Sequence, residues 1–173
     1  MQALTFWKTV TVDKSNLLER LIALLDENAI RYCVIGGQAV NAYAEPLVSL
    51  DLDVVVATDQ LSQVESLLAN AFRVERFEHR INASLAGSDL RVQIQTDPRY
   101  AEFVARAATR EVLGLPLPVA RIEDVLRGKI WAAQDPTRRK TKQQKDLLDI
   151  ARLLESDPHL RALIPPDILA RLV

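Results

Sequence analysis

Seven consecutive residues, Leu50-Asp51-Leu52-Asp53-Val54-Val55-Val56, constrain the fold of this chain more than any others. Apolar residues at 50, 52, 54 and 56 alternate with acids at 51 and 53, which is the period of a β-strand. Side chains two apart on a strand share a face. Leu50, Leu52, Val54 and Val56 therefore form one apolar face, and Asp51 and Asp53 stand together on the other. Their Cα atoms lie about 6.5–7 Å apart at a rise of about 3.3 Å per residue. Carboxylates so placed can share one or two divalent cations. Mg2+ suits such oxygen ligands and takes its remaining ones from water and substrate phosphates. A bare Asp-x-Asp is more often a solvated outer face. Here Val54-Val55-Val56 continues as an apolar run, which predicts a strand end buried on both sides.

A second feature precedes the first. Tyr32-Cys33-Val34-Ile35 is a short apolar run ending at Gly36-Gly37, which reads as a buried strand followed by a turn. Glycines let the backbone approach a phosphate, and the N-terminus of the following helix favours an anion. The pair alone is weak, since any tight strand-to-helix turn uses it. Residues 38–44 are Ala-rich and helix-compatible, and Glu45-Pro46 ends them.

Around this centre the periodicity predicts a helix over 14–28, capped by Asp13 or Ser15, with Leu17, Leu18, Leu21, Ile22, Leu24 and Leu25 on its inner stripe. A helix capped by Asp59 follows the acidic strand, and then come strands over 72–77, 80–85 and 89–96. Pro98 opens a helix to about 107, and residues 111–119 are extended. Helices over 122–133 and about 142–155, with two short closing ones, complete the chain. The order predicts an α+β fold: a small mixed β-sheet with helices on one face and a helical C-terminal part. A single domain over 1–173 is expected, with a core over 14–120 and C-terminal helices over 121–173 packed on it.

The net charge of −1 conceals two opposite halves. Residues 1–70 hold four basic and nine acidic residues, and residues 71–173 hold 18 basic and 14 acidic. No Lys or Arg lies between Arg31 and Arg73, so the segment bearing Asp51 and Asp53 supplies no cation of its own. A polyanionic ligand is thus compatible with a near-neutral chain. One cysteine, Cys33, excludes an intramolecular disulfide framework and reads as inert core. His79 and His159 lack neighbours for a triad or a zinc site. No signal-peptide core forms around Lys8, and no apolar run is long enough to span a bilayer. A cytoplasmic protein without membrane contact is expected.

The sequences Val34-Ile-Gly-Gly-Gln-Ala-Val-Asn-Ala-Tyr43 and Ser49-Leu-Asp-Leu-Asp-Val-Val-Val56 resemble the nucleotidyltransferase superfamily with the DNA polymerase β-like fold. The look is that of small prokaryotic nucleotidyltransferase-like proteins of the toxin/antitoxin-associated type. The resemblance implies a nucleoside triphosphate bound through Mg2+ at Asp51 and Asp53. Gly36, Gly37 and Gln38 at the start of the next helix would hold phosphates, with Ser49 replacing a threonine hydroxyl. The reaction it implies is in-line attack of an acceptor hydroxyl on the α-phosphorus, releasing pyrophosphate, with RNA or protein as acceptor. Two departures stand out. Leu47-Val48-Ser49 replaces the Arg-x-Thr of many relatives. The third carboxylate of active members falls on Gln93, whose neutral amide is a weak metal ligand and no general base. Asp89 and Asp97 share the parity of Gln93 and sit at the ends of its strand. The alternative is therefore a catalytically degenerate nucleotide-binding or partner-binding, antitoxin-like protein.

Two basic features join the candidate site. Lys129 lies within the apolar stripe of Ile122, Val125, Leu126, Ile130 and Ala133, and an inward lysine needs a partner or a ligand. It reads either as a snorkelling side chain or as a phosphate contact. Arg138, Arg139, Lys140, Lys142 and Lys145 form a basic run that reads as a solvated helix start or as a footprint for triphosphate or RNA. Lys145-Asp146-Leu-Leu-Asp149 looks like the helix that closes related domains. In it Lys145 and Asp149 are expected to pair, with Leu147, Leu148, Ala151 and Leu154 packing inward.

Overall fold

A computed structural model describes residues 2–172. In chain order the elements are α1 (Ala3–Val10), α2 (Leu17–Glu27), β1 (Tyr32–Ile35), α3 (Gly36–Tyr43), β2 (Asp51–Val56), α4 (Leu61–Ala71), β3 (Arg73–Phe77), β4 (Arg80–Ser84) and β5 (Arg91–Gln95). The second part holds β6 (Ala108–Val112), β7 (Leu115–Val119), α5 (Ile122–Gln134), α6 (Lys140–Ser156) and α7 (Pro166–Leu169). Short 3-10 turns occupy Thr58–Gln60, Pro98–Phe103 and Pro158–Leu163.

Seven strands form one mixed sheet in the order β3-β4-β5-β2-β1-β7-β6. β2 runs antiparallel to β1 and parallel to β5. The apolar face of β2 explains its central place. Leu52 and Val54 are fully buried, and Leu17, Leu21, Leu25, Val64 and Leu68 belong to the same core. Each such side chain contributes about 1.5–3 kcal/mol on burial. β1 is buried at all four positions. Alternate residues point to opposite faces, so helices and turns cover both faces of the sheet centre, not one as the sequence suggested. The edge strand β3 is exposed at four of its five positions and carries Arg73, Glu75 and Arg76, charges that discourage edge pairing.

Several elements differ from the sequence reading. α1 was not expected. Asp13 does serve α2, its carboxylate accepting from the amides of Leu17 and Leu18 at 2.8 and 3.2 Å. Asp59 caps nothing; its carboxylate takes Arg31 Nη2 at 2.7 Å, and a 3-10 turn precedes α4. The Pro98 segment is 3-10 only to Phe103. The extended stretch before α5 is a hairpin, β6 and β7, whose turn holds Leu113 and Gly114 at positive φ. Pro116 and Pro118 disguise β7, having no N–H to give a ladder. Only Val34↔Val119 links β7 to β1. Among the described residues no helix is long and apolar enough to cross a membrane.

Candidate active site

β2 ends the segment that follows α3, and its start is fixed by a chain of hydrogen bonds. Asn41 accepts from the Leu47 amide at 2.9 Å and donates to the Leu47 carbonyl at 2.7 Å. The buried Gln38 donates from Nε2 to the Ser49 carbonyl at 3.0 Å, and Ser49 Oγ accepts from the Asp51 amide at 3.3 Å. Gln38 and Ser49, singled out as phosphate contacts, thus spend these groups on holding the approach to Asp51. Arg152 on α6 adds a brace, donating to Asn41 Oδ1 at 2.8 Å and to the Glu45 carbonyl.

Asp51 and Asp53 leave β2 on one face, as alternation requires. Asp51 Oδ1 and Asp53 Oδ1 are both buried without a hydrogen-bond partner. Arg91 Nε on β5 lies 2.8 Å from Asp51 Oδ1, an ion pair without hydrogen-bond alignment. Burial pushes the Asp53 carboxyl up to about 6, against the pull of Lys129 and with a further push from Asp51. Gly36 adopts φ +69°, and a Cβ there would sit 3.0 Å from Asp53 Cγ. This glycine is therefore required both by its backbone and by the closeness of the Asp53 carboxylate. Gly37 is freer: a Cβ there would meet Ser49 Oγ at 3.9 Å.

Gln93 is the register partner of Asp53 across the parallel β2–β5 ladder. Both line a cavity with Gly36, Tyr100, Lys129 and Arg138. Asp89 and Asp97 lie outside β5, and Asp97 is taken by Arg99, bonded at 2.9 and 3.1 Å. Tyr100 is edge-on to Phe103 and Trp131 and also lines the cavity.

Lys129 sits on α5 facing inward, as its place in the stripe predicted, and two carboxylates receive it. Its Nζ is 3.1 Å from Asp146 Oδ1 and 2.9 Å from Asp149 Oδ2. Arg138 pairs with Asp146 at 2.6 Å and Arg152 with Asp149 at 2.8 Å. Five charges alternate in sign from Arg138 to Arg152. Burial alone would lower the Lys129 pKa, but Asp149 and Asp146 hold it above the ordinary lysine value. The expected Lys145–Asp149 pair does not form: Asp149 is buried under Lys129 and Arg152, and Lys145 is exposed. The fully buried stripe of α6 is Asp146, Asp149, Ile150 and Leu153; of the expected leucines, Leu147 and Leu154 pack against the core partly buried, whereas Leu148 is half exposed. The sequence signal for this was available, since an inward lysine on α5 calls for acids on the helix that packs against it. A further buried acid, Asp124, accepts a paired contact from Arg106 at 2.8 and 3.0 Å and another from Arg127.

The family model described as "Nucleotidyl transferase AbiEii toxin, Type IV TA system" matches residues 34–172. No curated protein matches the chain. Among solved structures the chain is similar to ANT(2")-Ia in complex with adenylyl-2"-tobramycin, at 16% identity and a TM-score of 0.61, over 91% of this chain and 97% of that one. It is also similar to the lincomycin-bound lincosamide antibiotic adenylyltransferase LnuA, at 11% identity and TM-score 0.55, over 83% and 99%. A nucleotidyltransferase-like protein from Paracoccidioides brasiliensis matches at 19% identity and TM-score 0.54, over 84% and 78%. These likenesses establish the nucleotidyltransferase fold.

Proposed function

The chain belongs to the AbiEii nucleotidyl transferase toxin family, and we propose that it binds a Mg2+-nucleoside triphosphate at Asp51 and Asp53 and transfers the nucleotidyl group to an acceptor hydroxyl. One observation carries this reading: the buried oxygens Asp51 Oδ1 and Asp53 Oδ1, side by side on one strand face, accept no hydrogen bond, and Asp53 has no ion pair either among the described residues. An orphaned buried carboxylate oxygen is costly, and it is the donor type that Mg2+ takes. Among the described residues no cluster of three His, Cys, Asp or Glu could hold a metal ion. Two protein carboxylates suit an ion that completes its shell with water and substrate phosphates. When bound, the ion would offset charge on the phosphates and stabilise the attacking and leaving oxygens.

The chain's own residues would divide the remaining work. Asp51 and Asp53 would hold the ion, and Arg91, a mostly exposed side chain, would have to leave Asp51 Oδ1 to admit it. Gly36 and Gly37 bring backbone close to the phosphates. Lys129 contributes positive potential at Asp53 while anchored on α6. Lys145, exposed on α6, also contributes to that potential. The acceptor is an RNA or a protein, and the toxin family supports a partner antitoxin. A second reading rests on Gln93: with an amide where active relatives carry an acid, the protein binds nucleotide without transferring it.

Calorimetry with Mg2+-ATP and the other three nucleotides tests the site. Wild type should give saturable heats and the Asp51→Asn/Asp53→Asn variant none; equal heats, or none from either, remove the proposal. Incubation with α-labelled nucleotides and cell extract separates the two readings. Label transfer that Asp53→Ala abolishes establishes the enzyme, and binding without transfer establishes the second reading.

A further inference from the structure

The ions lining the cavity balance, with two exceptions. Asp124 is neutralised by Arg106 and Arg127, and Asp146 by Lys129 and Arg138. Among the described residues Asp53 has no ion-pair partner, and Arg80 has neither an ion pair nor a side-chain hydrogen bond. Arg80 Nε is buried and orphaned. Its guanidinium lies 4.6 Å from the Phe77 ring centroid, a contact that steadies the side chain without neutralising it.

The sheet places this arginine on the same face as Asp53. Asp53, Gln93 and Asn82 stand in one row across β2, β5 and β4, and Gln95 and Arg80 stand in the next. Gln93 and Gln95 line the cavity with Arg80, and Asn82 Oδ1 is a further buried oxygen without a partner. Two strand spacings of about 4.8 Å and a two-residue step of about 6.6 Å put the Arg80 Cα roughly 12 Å from that of Asp53, with Gln93 between them. The acid nearest in register, Glu75 opposite Asn82, lies 4.0 Å from Arg73. An unpaired guanidinium beside carboxamides is built to take an oxyanion, since Arg and phosphate form strong charge-assisted bonds.

We infer that Arg80, flanked by Gln93, Gln95 and Asn82, forms a second binding site for a phosphoryl group, two strands from Asp53. The inference deepens the proposed function and rests on it for the source of that phosphoryl group, which is either the nucleotide's own chain or a phosphate on the acceptor. Asp53 and Arg80 then bracket the ligand with opposite charges.

The test is a titration with inorganic pyrophosphate in EDTA at low ionic strength, read by amide chemical shifts. Wild type should bind saturably, with shifts centred on β4 and β5. Arg80→Gln should weaken binding about tenfold, and Arg80→Lys less. Unchanged thermal midpoints certify the Arg80 variants as folded. Wild-type affinity in Arg80→Gln, or no saturable binding in wild type, overturns the site. Repeating the titration after saturation with Mg2+-ATP identifies the source. Displaced pyrophosphate, with weaker ATP binding in Arg80→Gln, assigns the subsite to the nucleotide. Pyrophosphate that still binds assigns it to the acceptor. Pyrophosphate binding without any nucleotide binding leaves the anion site standing and removes the nucleotide reading alone.

Discussion

Replacing Gly36 by alanine should damage the protein in two ways. At φ +69° an L-residue pays the left-handed penalty of about 1–2 kcal/mol. The added Cβ would sit 3.0 and 3.1 Å from Asp53 Cγ and Cβ, and nearer still to a carboxylate oxygen. Overpacking of that kind adds about 1–3 kcal/mol, for a total of about 2–5 kcal/mol. With a urea m-value of about 2 kcal/mol/M, the unfolding midpoint falls by about 1–2.5 M. Gly37→Ala is the internal control. Its Cβ meets only ordinary contact, at 3.9 Å from Ser49 Oγ, and it lies in a helix, where alanine gains about 0.5–1 kcal/mol over glycine. Its midpoint should stay level or rise. Urea unfolding of both variants, followed by circular dichroism, decides the matter. Equal midpoints would refute the claim that Gly36 is held to glycine by the Asp53 carboxylate and by its own backbone.

Lys129→Met leaves the buried Asp146 and Asp149 with one arginine partner each and should destabilise by no more than the about 3–5 kcal/mol of a broken buried pair. A Lys129→Met/Asp149→Asn double variant should recover part of that loss, and strict additivity in the cycle would deny the coupling. Without divalent ions, Asp53 keeps a proton between pH 4 and 6 that the unfolded chain has released. Folding stability should therefore fall as pH rises through that window, by up to ~3 kcal/mol, and level off above it. Chemical unfolding across pH in EDTA checks this: Asp53→Asn should remove the slope, and a wild-type curve as flat as the variant's contradicts it.

The carboxylate pair was legible because β-alternation is a local property: seven residues determine which side chains share a face. Gly36 was legible for the same reason, as a turn between strand and helix. The acids of α6 were hidden by the assumption that a helix buries its leucines. Asp146, Asp149, Ile150 and Leu153 fall at helical spacing as well as Leu147, Ala151 and Leu154 do. What receives the two acids is Lys129, which is remote in sequence. Arg80 was equally hidden, because an arginine's meaning depends on whether an acid reaches it, and only the three-strand register shows that none does. The β6–β7 hairpin escaped because its two prolines weaken the strand signal while Gly114 supplies a turn that the alternation did not reveal.

The brace from Arg152 to Asn41 joins residues 111 positions apart. A ribosome adding about 5–20 residues per second delivers Arg152 some 5–20 s after Asn41. Through that interval the loop leading into β2 exists without its brace, and Lys129, once made, waits for Asp146 and Asp149. The nascent chain thus carries the Asp51 and Asp53 carboxylates long before it carries the helix that holds their approach. Assembly of the site is timed by translation of α6, which keeps it unfinished until residue 152 has been made.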